Sequence, residues 1–374
     1  MGKIRTAAKH AFFHLPPLSS FARGMRKAPL WGIDIIRRDE QGLEIEGWAL
    51  PPEAGPEDAS FTLNGKPFEQ VRYPHERDDI GRVFWWFPGS LFSGFRCRAP
   101  GSPPDGADGA DGAPLSLDYV SRSTGRPFSE LHGYAYRPAG SLPMPPADRR
   151  CRVQGTESES FFLLEGCSAY ARLQQALETH VGRKFADFPR VLDWGCGCGR
   201  LARHFAAESR PRLTGVDIDG DNVAWCRENL GFAEFSAVPL HPPAPLEAGS
   251  FDLLIGISVF THLAEDVQRE WLSELRRLAA PGAILLMTVH GLTSAVRTNR
   301  FPHLLRFLAS GGNYSMGSCI DLGGFISDSQ YYQSIYISEG YIRKHWAEYF
   351  DIVRIIPAGI GNNQDLVILR KRGE

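Results

Sequence analysis

The chain has 374 residues, of which 43% are hydrophobic, and its formal net charge at pH 7 is −2. This length indicates about two or three domains, and the hydrophobic fraction is sufficient for packed cores. The near-neutral charge argues against a broadly basic surface, so we expect no nucleic-acid partner.

The cysteine content bounds the redox and metal chemistry of the chain. There are 7 cysteines, an odd number, and no Cys-x-x-Cys pair occurs among them. This pattern fits neither a disulfide framework nor a structural zinc site, so we expect no metal. A cytoplasmic location in a reducing compartment follows as an expectation.

Residues 1–30 form a basic N-terminal segment that carries lysines and arginines and no acidic residue. Histidines and a Pro-Pro pair interrupt its apolar stretch, so it is a poor signal peptide. Its phenylalanines among basic side chains would suit peripheral contact with an anionic membrane surface. The alternative, which we favour, is a solvated chain terminus.

Residues 31–140 predict an accessory domain built from short strands. Apolar and polar residues alternate at the start of 43–50, and 61–68 contains an Asn-Gly hairpin signal. Further candidate strands are 83–87, 94–97 and 115–120. Short strands with frequent turns indicate a small all-β, sandwich-like domain. A repeated Gly-Ala-Asp sequence predicts a flexible loop at 99–114.

A stretch rich in proline and glycine at 138–146 marks the predicted domain boundary, and residues 147–374 then alternate strands with helices. The predicted helices are 168–182, 200–209, 221–230, 264–280 and 339–349. The predicted strands are 190–193, 213–217, 233–237, 251–257, 283–289, 351–356 and 365–369. This alternation indicates an α/β fold with a mostly parallel sheet, which closes with an antiparallel hairpin.

Three glycines at alternate positions, Gly195, Gly197 and Gly199, follow a short apolar run that contains Asp193. The apolar spacing after them predicts a strand-to-helix turn, where backbone can approach a ligand and free N–H groups favour an anion. The carboxylate of Asp193 suits a ligand that carries an ammonium group. About twenty residues further on, Asp217 ends a second apolar run, where it can accept hydrogen bonds from ribose hydroxyls.

These residues resemble the nucleotide-binding segment of the class I S-adenosylmethionine-dependent methyltransferases. Residues 250–263 and 278–289 resemble that family's fourth strand and the turn and strand that follow it. The resemblance covers about residues 150–374 and implies a Rossmann-like sheet, S-adenosyl-L-methionine as the cofactor and methyl transfer as the activity. It implies that the cofactor is bound by Asp193, Gly195, Cys196, Gly197, Gly199, Asp217, Ile218 and Ser258.

A dinucleotide-binding oxidoreductase is the rival interpretation, because residues 197–202 fit the loose G-x-G-x-x-[GA] pattern. Two features count against it. The glycines follow an acidic residue where that fold usually has an apolar strand end, and the predicted terminal hairpin is one that dinucleotide folds generally lack. A glycine-rich turn without a ligand is the remaining alternative.

Two histidines are the candidate general bases. His262 follows the fourth predicted strand of the sheet and His290 the fifth, and a neutral histidine can take the proton of an accepting hydroxyl. We rank His290 first, because a structural role is the strong alternative for His262. The long connection before the last helix contains Tyr331, Tyr332 and Gln333, which are candidate acceptor-binding residues or parts of a lid over the cofactor.

Short segments of the β-domain are similar to β-modules fused to bacterial enzymes of surface-polysaccharide assembly, which favours a glycan acceptor. The first hypothesis is therefore O-methylation of a saccharide or saccharide-lipid acceptor. The second is methylation of a small metabolite, with the β-domain serving dimerisation. The third is a non-catalytic glycan-binding protein on a methyltransferase scaffold. The sequence leaves the acceptor, the methylated atom and the oligomeric state open.

Overall fold

The computed structural model describes residues 30–40, 42–100, 114–131, 133–137, 142–207, 211–298, 300–318 and 331–373. The chain divides into two compact units between Tyr136 and Arg137. Residues 1–29 of the predicted basic segment 1–30 lie outside the described residues, as do most of the predicted loop at 99–114 and part of the predicted boundary at 138–146. These predictions stay predictions. Among the described helices, none combines the length and apolar character needed to cross a bilayer.

The first unit consists of two four-stranded antiparallel sheets. One has the order β1-β2-β6-β5 and contains β1 (Trp31–Asp39), β2 (Gly42–Ala49), β5 (Gln70–Glu76) and β6 (Phe92–Pro100). The other has the order β4-β3-β7-β8 and contains β3 (Ala59–Leu63), β4 (Lys66–Pro67), β7 (Leu115–Ser121) and β8 (Tyr134–Tyr136). The predicted all-β fold of this region is confirmed.

Aromatic rings from both sheets form the core of this unit. Phe61 on β3 stacks on Phe95 of β6 with ring centroids 4.4 Å apart, and on Tyr119 of β7 at 5.1 Å. Because Phe61 and Phe95 belong to different sheets, their contact is what makes the two sheets a sandwich. The predicted hairpin also forms, since Asn64 and Gly65 have the positive φ values, 50° and 76°, that a tight hairpin turn requires.

The predicted strand at 83–87 is wrong. Helix α1 (Asp78–Val83) ends there and a series of turns follows it. Phe84 and Trp86 are buried within these turns. A short continuous apolar run does not distinguish a strand from other buried structure, and here the run fills core space from a turn.

The second unit contains a seven-stranded sheet with the order β11-β10-β9-β12-β13-β17-β16. Its strands are β9 (Arg190–Trp194), β10 (Arg212–Asp217), β11 (Glu234–Ala237), β12 (Phe251–Gly256), β13 (Ala279–Val289), β16 (Asp351–Ile360) and β17 (Gln364–Arg370). The first five strands are parallel, whereas β17 is antiparallel to β13 and β16 is antiparallel to β17. The predicted Rossmann-like sheet with a terminal antiparallel hairpin is confirmed.

The helices of this unit are α2 (Ala147–Gln154), α3 (Glu159–Val181), α4 (Gly220–Asn229), α5 (Glu265–Leu278), α6 (Leu292–Arg297), α7 (Phe301–Ala309) and α8 (Glu339–His345). A small antiparallel pair, β14 (Asn313–Ser318) and β15 (Gln333–Ile337), lies in the long connection before α8. Helix α3 starts earlier than predicted, because the Ser158 side chain accepts the N–H of Phe161 and caps the helix.

The predicted helix at 200–209 is wrong in type. Turns continue from the glycines through Leu201, and a 3-10 helix then covers Ala202–Ala207. The left-handed glycines keep the chain in turns up to Leu201, so the apolar spacing that predicted an α-helix is carried by a short, tighter 3-10 helix instead.

Strand β9 lies inside the sheet, next to the central strand β12, and the later parallel strands are added on both sides of it. Strands β10 and β11 lie on one side of it, and β12 and β13 lie on the other. The carboxyl ends of β9 and β12 therefore border the crevice where the strand order reverses. Open α/β sheets bind their ligands at this point.

Candidate active site

The turn at the end of β9 has a backbone conformation that favours glycine. Gly195, Gly197 and Gly199 have φ values of 78°, 54° and 79°, in the left-handed region. Space is restricted as well, since a Cβ at Gly195 would clash with Val259 and a Cβ at Gly199 would clash with Leu230. The alternating glycines are therefore required both by conformation and by close packing.

Helix α2 closes one side of this turn. A Cβ at Gly197 would lie 2.9 Å from Cγ2 of Val153 on that helix. Arg152, on the same helix, forms an ion pair with Asp219, whose side chain caps α4. The segment before α3 thus packs against the glycine turn and against the helix that follows β10.

Asp217 connects the end of β10 to the glycine turn. Its Oδ2 atom accepts the N–H of Gly197 at 2.7 Å, and its Oδ1 atom accepts the N–H of Asp219 at 2.8 Å. Burial raises the pKa of Asp217 to about 6, although these backbone donors act in the opposite direction. Each carboxylate oxygen can accept a further hydrogen bond, so Asp217 retains capacity for a ligand hydroxyl.

Asp193 is a buried carboxyl group with an unsatisfied oxygen. The residue is 3% exposed, and its Oδ2 atom has no hydrogen-bond partner among the described residues. Burial, and secondly the charge of Asp217, raise the pKa of Asp193 to about 7. A buried carboxylate without a donor is costly, so the site fits a ligand that brings a cationic donor such as an ammonium group.

The other predicted cofactor residues surround this turn. Cys196 is buried, and its thiol and that of Cys226 both lie against the carbonyl of Gly197, at 3.7 Å and 3.5 Å. Ile218 is partly buried against the core, and Ser258 follows β12. In the described parts of the chain, no three His, Cys, Asp or Glu side chains are grouped to hold a metal ion.

The structure brings His262 and His290 together, with ring centroids 6.4 Å apart. Tyr332 stacks on His262 with centroids 4.1 Å apart and an interplanar angle of 12°, and Tyr336 lies 5.3 Å from His290. Burial lowers the pKa of each histidine to about 4, and the neighbouring His262 contributes to this shift at His290. Both rings are therefore neutral at pH 7, which is the form that accepts a proton.

Gln333 determines the tautomer of His262. The Nδ1 atom of His262 lies 3.1 Å from the carbonyl oxygen of Gln333. Because a carbonyl only accepts, Nδ1 carries the proton and Nε2 carries the lone pair. The Gln333 N–H in turn donates to the His262 carbonyl at 3.0 Å. The Nδ1 atom of His290 is buried and makes no hydrogen bond of normal geometry to a described residue, so no such contact assigns its tautomer.

Tyr331 does not join this group. It is 4% exposed, its hydroxyl donates to the carbonyl of Leu240, and the same oxygen accepts from Nε1 of Trp271 at 3.2 Å. Successive side chains of an extended segment point to opposite sides, which places Tyr331 in the core and Tyr332 beside His262. Of the three predicted acceptor-binding residues, Tyr332 and Gln333 therefore lie at the histidines and Tyr331 packs in the core.

Thr288 and Gln364, two polar residues that were not predicted from the sequence, form hydrogen bonds with Ser258. The Ser258 N–H donates to Thr288 Oγ1 at 2.8 Å, the Thr288 hydroxyl donates to Gln364 Oε1 at 2.6 Å, and Gln364 Nε2 donates to Ser258 Oγ at 2.7 Å. This ring joins the ends of β12, β13 and β17. A threonine within an otherwise apolar buried strand was a usable signal for Thr288, whereas Gln364 had none.

A family model described as a methyltransferase domain matches residues 191–282 of the chain. The match starts in β9, includes the glycine turn and Asp217, continues through β12 and His262, and ends in β13. It therefore covers the crevice where the strand order reverses.

Individual proteins are also similar to parts of this chain. The O-antigen chain terminator bifunctional methyltransferase/kinase WbdD of Escherichia coli is 37% identical over 94 residues, which are 24% of this chain and 13% of that protein. The ribosomal protein L11 methyltransferase of Pelobacter propionicus is 34% identical over 100 residues, 26% of this chain and 31% of that protein. The chain thus spans less than a third of the length of these relatives. The solved structure of the PH0226 protein from Pyrococcus horikoshii OT3 is 18% identical, covers 57% of this chain and 92% of that chain, and has a TM-score of 0.39.

The family match and the architecture of the second unit agree with each other. The dinucleotide-binding interpretation does not fit a sheet that ends in the antiparallel strands β17 and β16. The unsatisfied oxygen of Asp193 and the remaining acceptor capacity of Asp217 fit the ammonium and ribose groups of the cofactor. Residues 191–282 of the second unit therefore form a methyltransferase domain, and its sheet has the arrangement expected for the class I S-adenosylmethionine-dependent methyltransferases.

Proposed function

We propose that this protein transfers the methyl group of S-adenosylmethionine to a hydroxyl group of a saccharide or saccharide-lipid acceptor in bacterial surface-polysaccharide synthesis. The observation that carries this proposal is the neutral ring of His262, whose Nδ1–H is held by the Gln333 carbonyl. A hydroxyl has a high pKa and needs its proton removed as the new bond forms. A positioned base typically contributes about 10²–10⁴-fold to such a step.

The residues of the glycine turn have distinct roles in this proposal. When bound, the cofactor supplies a methyl group on a positively charged sulfur atom. Asp193 would pair with its ammonium group through the unsatisfied Oδ2 atom. Asp217 would accept from its ribose hydroxyls, and Ile218 would pack on its adenine ring. The left-handed glycines allow the backbone to approach it closely.

Two observations support a saccharide as the acceptor. Tyr332 lies beside His262 and Gln333, so an aromatic ring and polar groups occur together at the proposed base. Sugars are commonly bound by stacking on aromatic rings while polar groups bond their hydroxyls. In addition, the segment that is 37% identical to this chain belongs to a methyltransferase/kinase whose name describes an O-antigen chain terminator.

Methyl transfer to candidate acceptors tests the proposal. The full chain is incubated with methyl-labelled S-adenosylmethionine and, separately, with glycolipids, p-nitrophenyl hexosides and a small-metabolite extract. We expect label in the saccharides as a base-stable methyl ether, which distinguishes a methylated hydroxyl from a methyl ester. Label confined to the small-metabolite fraction would contradict the saccharide acceptor. Saccharide binding without any transfer would favour the non-catalytic scaffold instead.

A further inference from the structure

Ser258 has a backbone conformation that is unfavourable for its residue type. Its φ value is 61°, in the left-handed region that residues other than glycine rarely adopt. Such strain persists only where the surroundings impose it, and it clusters at functional sites. The neighbouring Val259 packs against the glycine turn at Gly195, and His262 ends the same loop. Ser258 therefore lies on the loop after β12, which packs against the cofactor turn and carries the proposed base.

The hydrogen bonds around Ser258 have one consistent direction. Thr288 is 0% exposed and its oxygen already accepts the Ser258 N–H, so its hydroxyl proton goes to its bonded partner Gln364 Oε1. This assigns the orientation of the Gln364 amide, and its Nε2 atom then donates to Ser258 Oγ. The hydroxyl proton of Ser258 is thus left with no acceptor among the residues that the structure describes.

We propose that Ser258 donates this hydroxyl proton, as a hydrogen bond, to the oxygen atom that receives the methyl group, and that Thr288 and Gln364 set its direction. This inference rests on the proposed function. An accepting hydroxyl has one proton and two lone pairs. Its proton passes to His262 Nε2, one lone pair forms the bond to the methyl carbon while the electrons of the carbon–sulfur bond stay with sulfur, and the second lone pair accepts from Ser258.

The same arrangement disfavours a nitrogen acceptor. A neutral amine has a single lone pair, which the new bond consumes, and its remaining N–H groups would face the donor hydroxyl of Ser258. A site rejects a closely related substrate when binding that substrate would leave a donor unpaired in this way. Ser258 is thus a specificity-determining residue for oxygen, and Thr288 and Gln364 are positioning residues that act through it.

The Gln364→Glu substitution reverses the direction of the ring and preserves its shape. A carboxylate only accepts, so Thr288 still donates to it, whereas Ser258 must now give its own hydroxyl proton to Glu. The Ser258 oxygen then faces the ligand as an acceptor. Calorimetry with the full chain compares S-adenosylhomocysteine, S-adenosylmethionine and sinefungin, which carries an amine at the position of the transferred methyl group. The titrations are run at about pH 8.5 to favour ionisation of a buried glutamate, whose pKa burial raises.

In the variant, we expect the affinity for sinefungin to increase about tenfold relative to that for S-adenosylhomocysteine, because the N–H groups of sinefungin gain an acceptor. S-Adenosylmethionine is the charge control, since its sulfonium is positive and has no N–H. An equal gain for both cations would reveal a general charge effect and overturn the inference, as would an unchanged ratio with intact binding. Wild-type protein that binds none of the three ligands would instead contradict the proposed function, and the inference with it.

A second variant covers the case in which Gln364→Glu does not fold. Ser258→Gly removes the hydroxyl and suits the left-handed backbone. Because this variant lacks the outward-facing hydroxyl proton, its affinity for sinefungin should increase about threefold relative to that for S-adenosylhomocysteine, as expected for the loss of one unfavourable polar contact. The matched control is Ala358→Gly, at another left-handed position with φ 53°, which should leave this ratio unchanged. No change in Ser258→Gly, or the same change in both variants, would overturn the inference.

Discussion

The Nδ1 atom of His262 donates its hydrogen bond to the backbone carbonyl of Gln333, 71 residues further along the chain. Gln333 belongs to β15 in the long connection before the last helix, whereas His262 follows β12 of the main sheet. The connection therefore orients a side chain of the methyltransferase crevice. This relationship makes His262 the stronger candidate for the general base, whereas the sequence alone favours His290.

Substitution of the two histidines tests this ranking. His262→Ala should reduce turnover by about 10²–10⁴-fold, because the accepting hydroxyl loses its base. The affinity for S-adenosylhomocysteine should stay nearly unchanged, since the ring contacts Tyr332 and Gln333. Single-turnover methylation and titration on the same protein check this. His290→Ala is the matched comparison, and a larger loss there would assign the base to His290.

The pH dependence of turnover follows from the pKa of His262. Burial lowers this pKa to about 4, so the base is neutral above that value and becomes protonated as the pH falls through it. With saturating cofactor, kcat should be flat from about pH 6 to pH 8 and should fall only toward about pH 4. A profile of kcat against pH measures this directly. A midpoint near the ordinary histidine value would show that another group limits the rate.

Cofactor binding should release a proton. The pKa of Asp193 is raised to about 7 by burial, and pairing with an ammonium group requires the ionised form. The affinity for S-adenosylhomocysteine should therefore increase from about pH 6 to about pH 8. Calorimetry in two buffers of different ionisation enthalpy counts the protons. Asp193→Asn should weaken binding and reduce this pH dependence, whereas proton uptake by the wild type would contradict the assignment.

The same shift predicts how the ligand-free protein responds to pH. Because the folded pKa of Asp193 lies above its usual value of 3.8, the native state binds more protons than the unfolded state in the window between about 4 and 7. The stabilising contribution of Asp193 to the folded protein is present below that window and is lost as the pH rises through it. Asp193→Asn should then raise Tm at about pH 8 relative to wild type, and a lower Tm in thermal melts would contradict this.

Loss of the Asp217 carboxylate should weaken cofactor binding. Asp217→Ala leaves the Gly197 N–H without its acceptor at 2.7 Å and removes the predicted contact with ribose hydroxyls. A charged hydrogen bond of this kind is worth about 1–3 kcal/mol, which titration with S-adenosylhomocysteine would detect. Asp252→Ala is the control, since that side chain is paired with Arg190 near the start of β12. Equal losses in both variants would indicate a general effect on the fold.

The segment before α2 should matter for the stability of the methyltransferase domain. Buried Arg203 donates to the carbonyls of Leu142 and Pro143 at 3.2 Å and 3.4 Å. A fragment of residues 137–374 should fold and bind the cofactor. A fragment of residues 147–374 leaves this guanidinium without these acceptors and should be less stable by about 1–3 kcal/mol. Urea unfolding of the two fragments measures the difference, and equal stabilities would contradict it.

The sequence by itself determined the features that depend on local pattern. Alternating glycines after a short apolar run predict a left-handed turn, because only a residue without a Cβ adopts those φ values without strain. Strand and helix alternation predicts a parallel sheet, and its carboxyl edge is where the glycine turn and Asp217 lie. The Asn-Gly hairpin of the first unit is equally local.

Other features were decided only by the tertiary structure. An apolar run at 83–87 and the neighbours Tyr331 and Tyr332 have no pattern that separates core from surface, and packing assigned them. The bond from Gln364 to Ser258 spans 106 residues and exists because β17 pairs antiparallel with β13, which brings the start of β17 to the end of β13. Strand order and register are set by the packing of the whole sheet, so no local pattern contains these contacts.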